Sequence, residues 1–169
     1  MSEKGVQLGL KKVSVNCYVF NKKTGKFLMM KRLKEPHIGG YIAPGGKLEP
    51  FEDPNTCVVR EILEETGLRI KKPILAGVLQ ETSNTKFNWS IWFYKAQTNQ
   101  TKVKNGSPHE GTLEWIDKDK MLEIDIPECD KFIVAKLLAN EFFAFNAWYD
   151  DDIELVKLTD ELTGEVMYK

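Results

Sequence analysis

Apolar residues along this chain follow two spacings, and their order predicts the architecture. Lys11–Phe20 (KKVSVNCYVF) is rich in β-branched and aromatic residues and predicts a strand. Asn21–Gly25 predicts a turn and Lys26–Leu33 (KFLMMKRL) a partner strand, together a hairpin. Lys34–Gly40, with Pro36, Gly39 and Gly40, predicts a loop, and Tyr41–Ala43 a short extended piece entering Pro44-Gly45-Gly46. Pro73–Thr82 and Asn88–Ala96 predict two further strands around a polar turn, Ser83–Lys86. Thr98–Ser107 reads as a flexible polar loop, Leu113–Ile116 as a short strand, and Glu141–Trp148 with Ile153–Leu158 as a terminal hairpin around Asp150, Asp151 and Asp152.

Helical spacing falls in two places. Asp53 is a good N-cap, Pro54 suits the first helical position and Gly67 suits a left-handed cap, which predicts a helix over Pro54–Thr66. Pro127–Ala139 predicts a second, with Phe132, Ile133, Leu137 and the stem of Lys136 on one side. Interleaved strands and helices point to an α/β fold, a mixed sheet with helices on its faces.

The first helix carries the candidate chemistry. With Glu61 at 0° and about 100° per residue, Glu64 falls near 300° and Glu65 near 40°, so the three carboxylates share one patch. Val58, Val59, Ile62, Leu63 and Thr66 fall on the opposing side. Like charges so close destabilise a helix by a few tenths of a kcal/mol, whereas clustered carboxylate oxygens suit a hard divalent cation. A solvated acidic face is the alternative reading of the stripe taken alone. Arg60 can brace Glu64 or meet phosphate. Pro44-Gly45-Gly46-Lys47 lies upstream, with glycines that allow close backbone approach and a lysine to meet phosphates. By itself that tetrapeptide is simply a turn.

Taken together, Gly46–Leu68 (GKLEPFEDPNTCVVREILEETGL) resembles the Nudix box, G-x5-E-x7-R-E-U-x-E-E-x-G-U, at every fixed position: Gly46, Glu52, Arg60, Glu61, Ile62, Glu64, Glu65, Gly67 and Leu68. The resemblance implies a Nudix-type α/β/α sandwich with a loop-helix-loop metal site, and hydrolysis of a diphosphate by a metal-activated water. It implies Mg²⁺ (or Mn²⁺) held by Glu61, Glu64, Glu65 and the Gly45 carbonyl, with Arg60 and Glu52 holding the site together. Gly46 and Lys47 would meet the substrate's phosphates.

More loosely, FLMMKR, YIAPGGKLE, HEGTLEW and the stretch from Pro127 to Leu155 are similar to the MutT-like branch, which removes oxidised purine nucleoside triphosphates. This similarity implies nucleotide contacts from Lys31 and Arg32, an extra metal ligand in Glu110 with Glu114 as its rival, and Trp115 as a strand-core aromatic. In human-type members two adjacent aspartates and a tryptophan read the purine, and an asparagine assists. Here Cys129 separates Glu128 from Asp130, Ile126 replaces the tryptophan and Ile42 the asparagine. Glu128 and Asp130 can therefore be base readers or acids favoured by a helix start. Phe87 and Trp89 are core residues or pocket linings, and His37 and His109 polar loop residues. Substrates to weigh against 8-oxo-dGTP are ADP-ribose, dinucleoside polyphosphates and capped RNA. A nucleotide-sensing module is the non-enzymatic alternative.

Composition narrows the setting. The 169 residues fit one domain, 1–169. A formal charge of −1 gives no reason to expect a long nucleic-acid partner. No apolar run approaches the ~18 residues a membrane span needs. Met1–Leu10 has no signal-peptide order, and Cys17, Cys57 and Cys129 read as reduced thiols of a cytoplasmic protein with a small nucleotide substrate.

Overall fold

The computed structural model describes residues 9–169; residues 1–8, most of the stretch read above for a leader, lie outside it. The elements run β1 (Lys12–Asn21), β2 (Lys26–Arg32), β3 (Tyr41–Ile42), β4 (Gly45–Lys47), α1 (Pro54–Thr66), β5 (Ile74–Thr82), β6 (Trp89–Thr98) and β7 (Gly111–Asp117), followed by a 3₁₀ turn. Then come α2 (Glu128–Leu138), β8 (Phe143–Tyr149), β9 (Leu155–Asp160) and β10 (Val166–Tyr168).

All the strands join one sheet in the order β10-β9-β8-β5-β6-β1-β2-β3, with β4 also on β1 and β7 on β2. β1 runs parallel to β6 and β5 to β8, while the other pairs are antiparallel, so the sheet is mixed as expected. Alternation along β1 sends Val15, Cys17 and Val19 to the α1 side and Tyr18 to the α2 side. Ile62 and Leu28 close the first core, and Ile133, Phe93 and Phe143 the second. Trp115 packs against the α1-side core, as expected of a strand-core aromatic, and donates to the Thr101 carbonyl at 2.9 Å. The three cysteines are free and buried, and burial pushes the Cys57 thiol up to about 12. No helix among the described residues is long and apolar enough to cross a membrane.

Several elements differ from the sequence reading, each for a physical reason. β4 was hidden in a turn composition: Gly45 and Gly46 pair with Asn16 and Val15 because backbone lies where side chains would otherwise stand. The terminal hairpin is displaced towards the C-terminus and followed by a third strand, β10. Thr98–Ser107 is not a free loop. β6 extends to Thr98, and the segment beyond docks on the end of α1, where Lys104 and Gly106 donate to the Thr66 and Glu65 carbonyls at 2.9 and 2.8 Å. Terminal helix carbonyls lack intrahelical partners, and this segment supplies them. On α1 itself the apolar side is narrower than expected. Cys57, Val58, Ile62 and Thr66 are buried together with Glu65, whereas Val59 and Leu63 are each 37% exposed.

The start of α1 matches its sequence signals. The Asp53 carboxylate accepts from the Asn55 and Thr56 amides, each at 3.0 Å, and from the Thr56 hydroxyl at 2.6 Å. Gly67 ends the helix at φ 71°. Asp53→Ala should therefore lower unfolding free energy by about 1 kcal/mol in urea titrations, and a loss indistinguishable from zero would show the cap to be redundant with Pro54.

Candidate functional site

The loop between β4 and α1 and the exposed side of α1 form the first half of the site. Arg60 is its hub. Its Nε and Nη2 donate to the two oxygens of Glu52, both at 2.8 Å, a bidentate fork. Nη1 donates to Glu61 at 2.8 Å and Glu64 at 3.2 Å, and Nη2 also reaches the Lys47 carbonyl at 3.2 Å. The Arg60 hydrogen bonds hold the Glu52 carboxyl down at about 2, and the same contacts raise Arg60.

The three helix glutamates sit at graded depths. Glu64 is exposed; the Glu61 side chain is 14% exposed and Glu65 is buried. Burial raises Glu61 against the pull of Arg60. Burial also pushes Glu65 up to about 7, although it accepts from the Gly45 amide at 2.9 Å; the charges of Glu61, Glu110 and Glu64 add to the rise. Gly46 is required beside them, because a Cβ there would lie 2.3 Å from the Glu61 carboxyl carbon.

As they stand, no three His, Cys, Asp or Glu side chains among the described residues converge on one metal position. Arg60 and the Gly45 amide draw the carboxylates apart. The donor set nonetheless fits a hard divalent cation, with several anionic oxygens beside a glycine cradle and Arg60 as the counter-charge bonded to Glu61 and Glu64.

Glu110 reaches this half of the site on the segment docked to α1, close enough for its charge to be felt at Glu65 and Arg32. Its rival Glu114 lies opposite Met29 on the other side of the sheet, accepting the Tyr41 hydroxyl at 2.8 Å. Arg32 is occupied by the Lys34 and Glu35 carbonyls, each at 3.1 Å, and so braces the 33–40 loop. Lys31 is exposed, its ammonium 5.6 Å from the centre of the Tyr41 ring. Lys47 and Lys12 both approach the Trp89 indole, at 5.5 and 5.3 Å from a ring centre. His37 approaches Asp125 at 3.3 Å and His109 approaches Glu110 at 3.7 Å.

The second half lies beneath the start of α2. Of the two acids there, Glu128 faces solvent and pairs with Lys131 at 2.6 Å. Asp130 is buried against the sheet, and burial with the nearby charge of Glu81 pushes it up to about 7. Glu81 is likewise raised by burial, partly offset by the Tyr149 hydroxyl at 3.2 Å and by Lys11. The Tyr18 hydroxyl, in range of Asp130, is buried without a partner. Sequence reasoning missed Glu81, Tyr149 and Tyr18. Glu81 had a signal: it shares strand parity with buried Leu79, so an acid occupies an inward position of β5. Ile126 is buried, and Ile42 pairs with Met30.

A family profile described as NUDIX domain matches residues 10–137. The chain is 27% identical over 129 residues to an uncharacterised Nudix hydrolase, YvcI, of Bacillus subtilis, an alignment covering 73% of this chain and 81% of the relative. It is 25% identical over 130 residues to the 8-oxo-dGTP diphosphatase of Escherichia coli, covering 76% and 98%. The crystal structure of a MutT protein from Bacillus halodurans superposes with a TM-score of 0.78 at 29% identity, over 89% of this chain and 98% of that one.

The Asp130 environment has a measurable consequence. A carboxyl raised in the folded state binds more protons than in the unfolded chain, so stability falls as pH rises from about 4 to about 7 and then levels. Each unit of elevation is worth about 1.4 kcal/mol. Asp130→Asn should flatten that slope in metal-free thermal melts between pH 5 and 8, leaving a residual slope from Glu65 and Glu81. A slope identical to that of the parent would show that Asp130 is ionised at no unusual cost.

Proposed function

Because the chain belongs to the Nudix family of hydrolases, which act on pyrophosphate bonds of nucleotides, we propose that it is a cytoplasmic nucleoside triphosphate pyrophosphohydrolase preferring an oxidised purine such as 8-oxo-dGTP. The observation that carries the reading is the pairing of a complete Nudix box with a buried acid, Asp130, beneath α2. Burial raises this carboxyl and the nearby charge of Glu81 adds to the rise, which favours its protonated form. A carboxyl so held has an oxygen to accept from a purine edge and a proton to donate to it. An analogue lacking the matching groups leaves a buried polar atom unpaired, which discriminates strongly. Likeness to the Escherichia coli 8-oxo-dGTP diphosphatase supports the same choice.

In this reading Glu61, Glu64, Glu65, Glu110 and the Gly45 carbonyl would hold a divalent cation, Mg²⁺ in the first instance. Bound there, a cation would neutralise phosphate oxygens and acidify the attacking water. Arg60, fixed by Glu52, keeps the carboxylates in register. Lys47, lodged against Trp89, meets the phosphate chain, and Lys31 flanks the cleft. Water adds to one phosphorus and gives its proton to a carboxylate, while the bridging P–O bond breaks and its electrons leave on a phosphate oxygen. The products are nucleoside monophosphate and pyrophosphate.

Glu64→Gln and Glu65→Gln should each reduce kcat by at least about 100-fold while circular dichroism shows the parent fold; parental turnover in both would misplace the site. Phosphorus NMR of the products should show pyrophosphate, and orthophosphate with a nucleoside diphosphate would refute the bond assignment. Comparing kcat/KM for 8-oxo-dGTP, dGTP, dCTP and ADP-ribose tests the base. The purine reading requires 8-oxo-dGTP to lead in the parent and Asp130→Asn to change the ranking. A tenfold advantage for ADP-ribose, or a ranking unmoved by the substitution, defeats it.

A further inference from the structure

One cavity lies apart from the Nudix-box half of this site and meets the second half only at Tyr18. It has a volume of about 580 Å³ and opens beneath the far end of α2, bounded by Leu137, Leu138 and Asn140. That volume is in the range of small-molecule sites. The catalytic loop meets β1 at Val15 and Asn16, whereas the cavity meets it at Tyr18 and Phe20. Phe20 lies four residues along the strand from Asn16, about 13 Å at ordinary strand rise. Asp130, in the first turn of α2, is at the opposite end of that helix.

The lining has a definite chemistry. Lys71, Lys72, Lys95 and Lys118 reach it from three separate stretches of chain, and no acid lines it. In a protein of net charge −1 this is a local excess of positive charge. Two neighbouring acids are already engaged, Asp117 with Lys26 at 3.6 Å and Glu141 with Lys136 at 2.7 Å. The carbonyls ending α2 are likewise occupied by the Ala139, Asn140 and Glu141 amides, which blunts the negative end of the helix dipole. Phe20 and Phe27 lie side by side in the wall with ring centroids 5.0 Å apart, and Phe20 is only half-buried. Gln97 adds an amide, and Asn140 another whose oxygen accepts from the Lys95 ammonium.

Four ammonium groups suit phosphates, which lysine meets as a point charge. A half-exposed aromatic wall suits a flat base, and amides suit its polar edge. Inorganic phosphate would use only the first of these, and a fatty anion would leave the amides unused. We propose that this cavity is a second nucleotide site, taking a nucleoside di- or triphosphate through lysine and aromatic contacts without a metal ion. It is separate from the hydrolytic centre and independent of its substrate.

Metal dependence separates the two sites. Calorimetric titration of the full chain with ADP in excess EDTA should show one saturable site. The double variant Lys95→Glu/Lys118→Glu should weaken binding at least tenfold with an unchanged melting profile, whereas Asp130→Asn should leave it within twofold. Phe20→Leu should weaken it severalfold while retaining an apolar wall. No saturable binding in EDTA overturns the proposal. So does binding that Asp130→Asn abolishes and the lysine changes spare, since the ligand is then in the hydrolytic cleft. Tripolyphosphate binding as tightly as ADP overturns the nucleotide assignment, because the aromatic wall then contributes nothing.

Discussion

The candidate active site depends on one guanidinium. Three glutamates within five residues of helix repel one another, and two of them, Glu61 and Glu65, are withdrawn from water. Arg60 sits among them and is itself fixed by the two-point fork to Glu52 across the catalytic loop. One planar cation thus closes the loop onto the helix, through the Lys47 carbonyl, and holds Glu61 and Glu64 on short contacts. Lysine, a single point charge, cannot make the fork and the cross-links together. The arginine is the counter-charge of Glu61 and Glu64, and a bound metal would take over part of that work.

Around this hub the sheet separates two kinds of chemistry. The α1 side meets the anionic, hydrated box. The α2 side buries polar groups that apolar packing would not choose, namely Asp130, Glu81 and an unpartnered Tyr18 hydroxyl. Buried polar atoms without partners cost about 1–3 kcal/mol each. Here the Tyr18 hydroxyl is such an atom, next to two carboxyls that burial raises. β1 links the two sides, since its alternation serves both cores and its backbone carries the catalytic loop through β4.

Legibility in the sequence followed the range of the interactions. Local signals were read correctly: the Asp53 cap, the Gly67 ending and the β1–β2 hairpin all depend on residues a few positions apart. Contacts between distant segments were not readable. Gly45-Gly46 looks like a turn until β1 is placed beside it. Thr98–Ser107 looks free until the end of α1 is seen to need donors. Glu128 and Asp130 are equivalent on paper, and only the rotation of α2 against the sheet turns one to solvent and the other inward. Glu81 lay within reach of strand parity, but an acid in a half-exposed strand attracts little notice without its partner from α2.

The segment docked on α1 also sets where this chain tolerates changes of length. Between Thr98 and Lys104 the backbone is held only through two carbonyls, Gln100 accepting from the Asn21 amide and Thr101 from the Trp115 indole, each at 2.9 Å, and neither contact fixes the distance to α1. From Lys104 to Glu110 the path is metered. Two amides are committed to the end of α1, a Cβ on Gly106 would collide with the Glu64 carbonyl at 1.8 Å, and the Glu110 carbonyl receives the Leu33 amide. Adding or deleting one residue in this stretch would shift Glu110 relative to the helix that carries Glu65. Relatives with a different number of residues between β6 and β7 are therefore expected to place the change on the β6 side of Lys104.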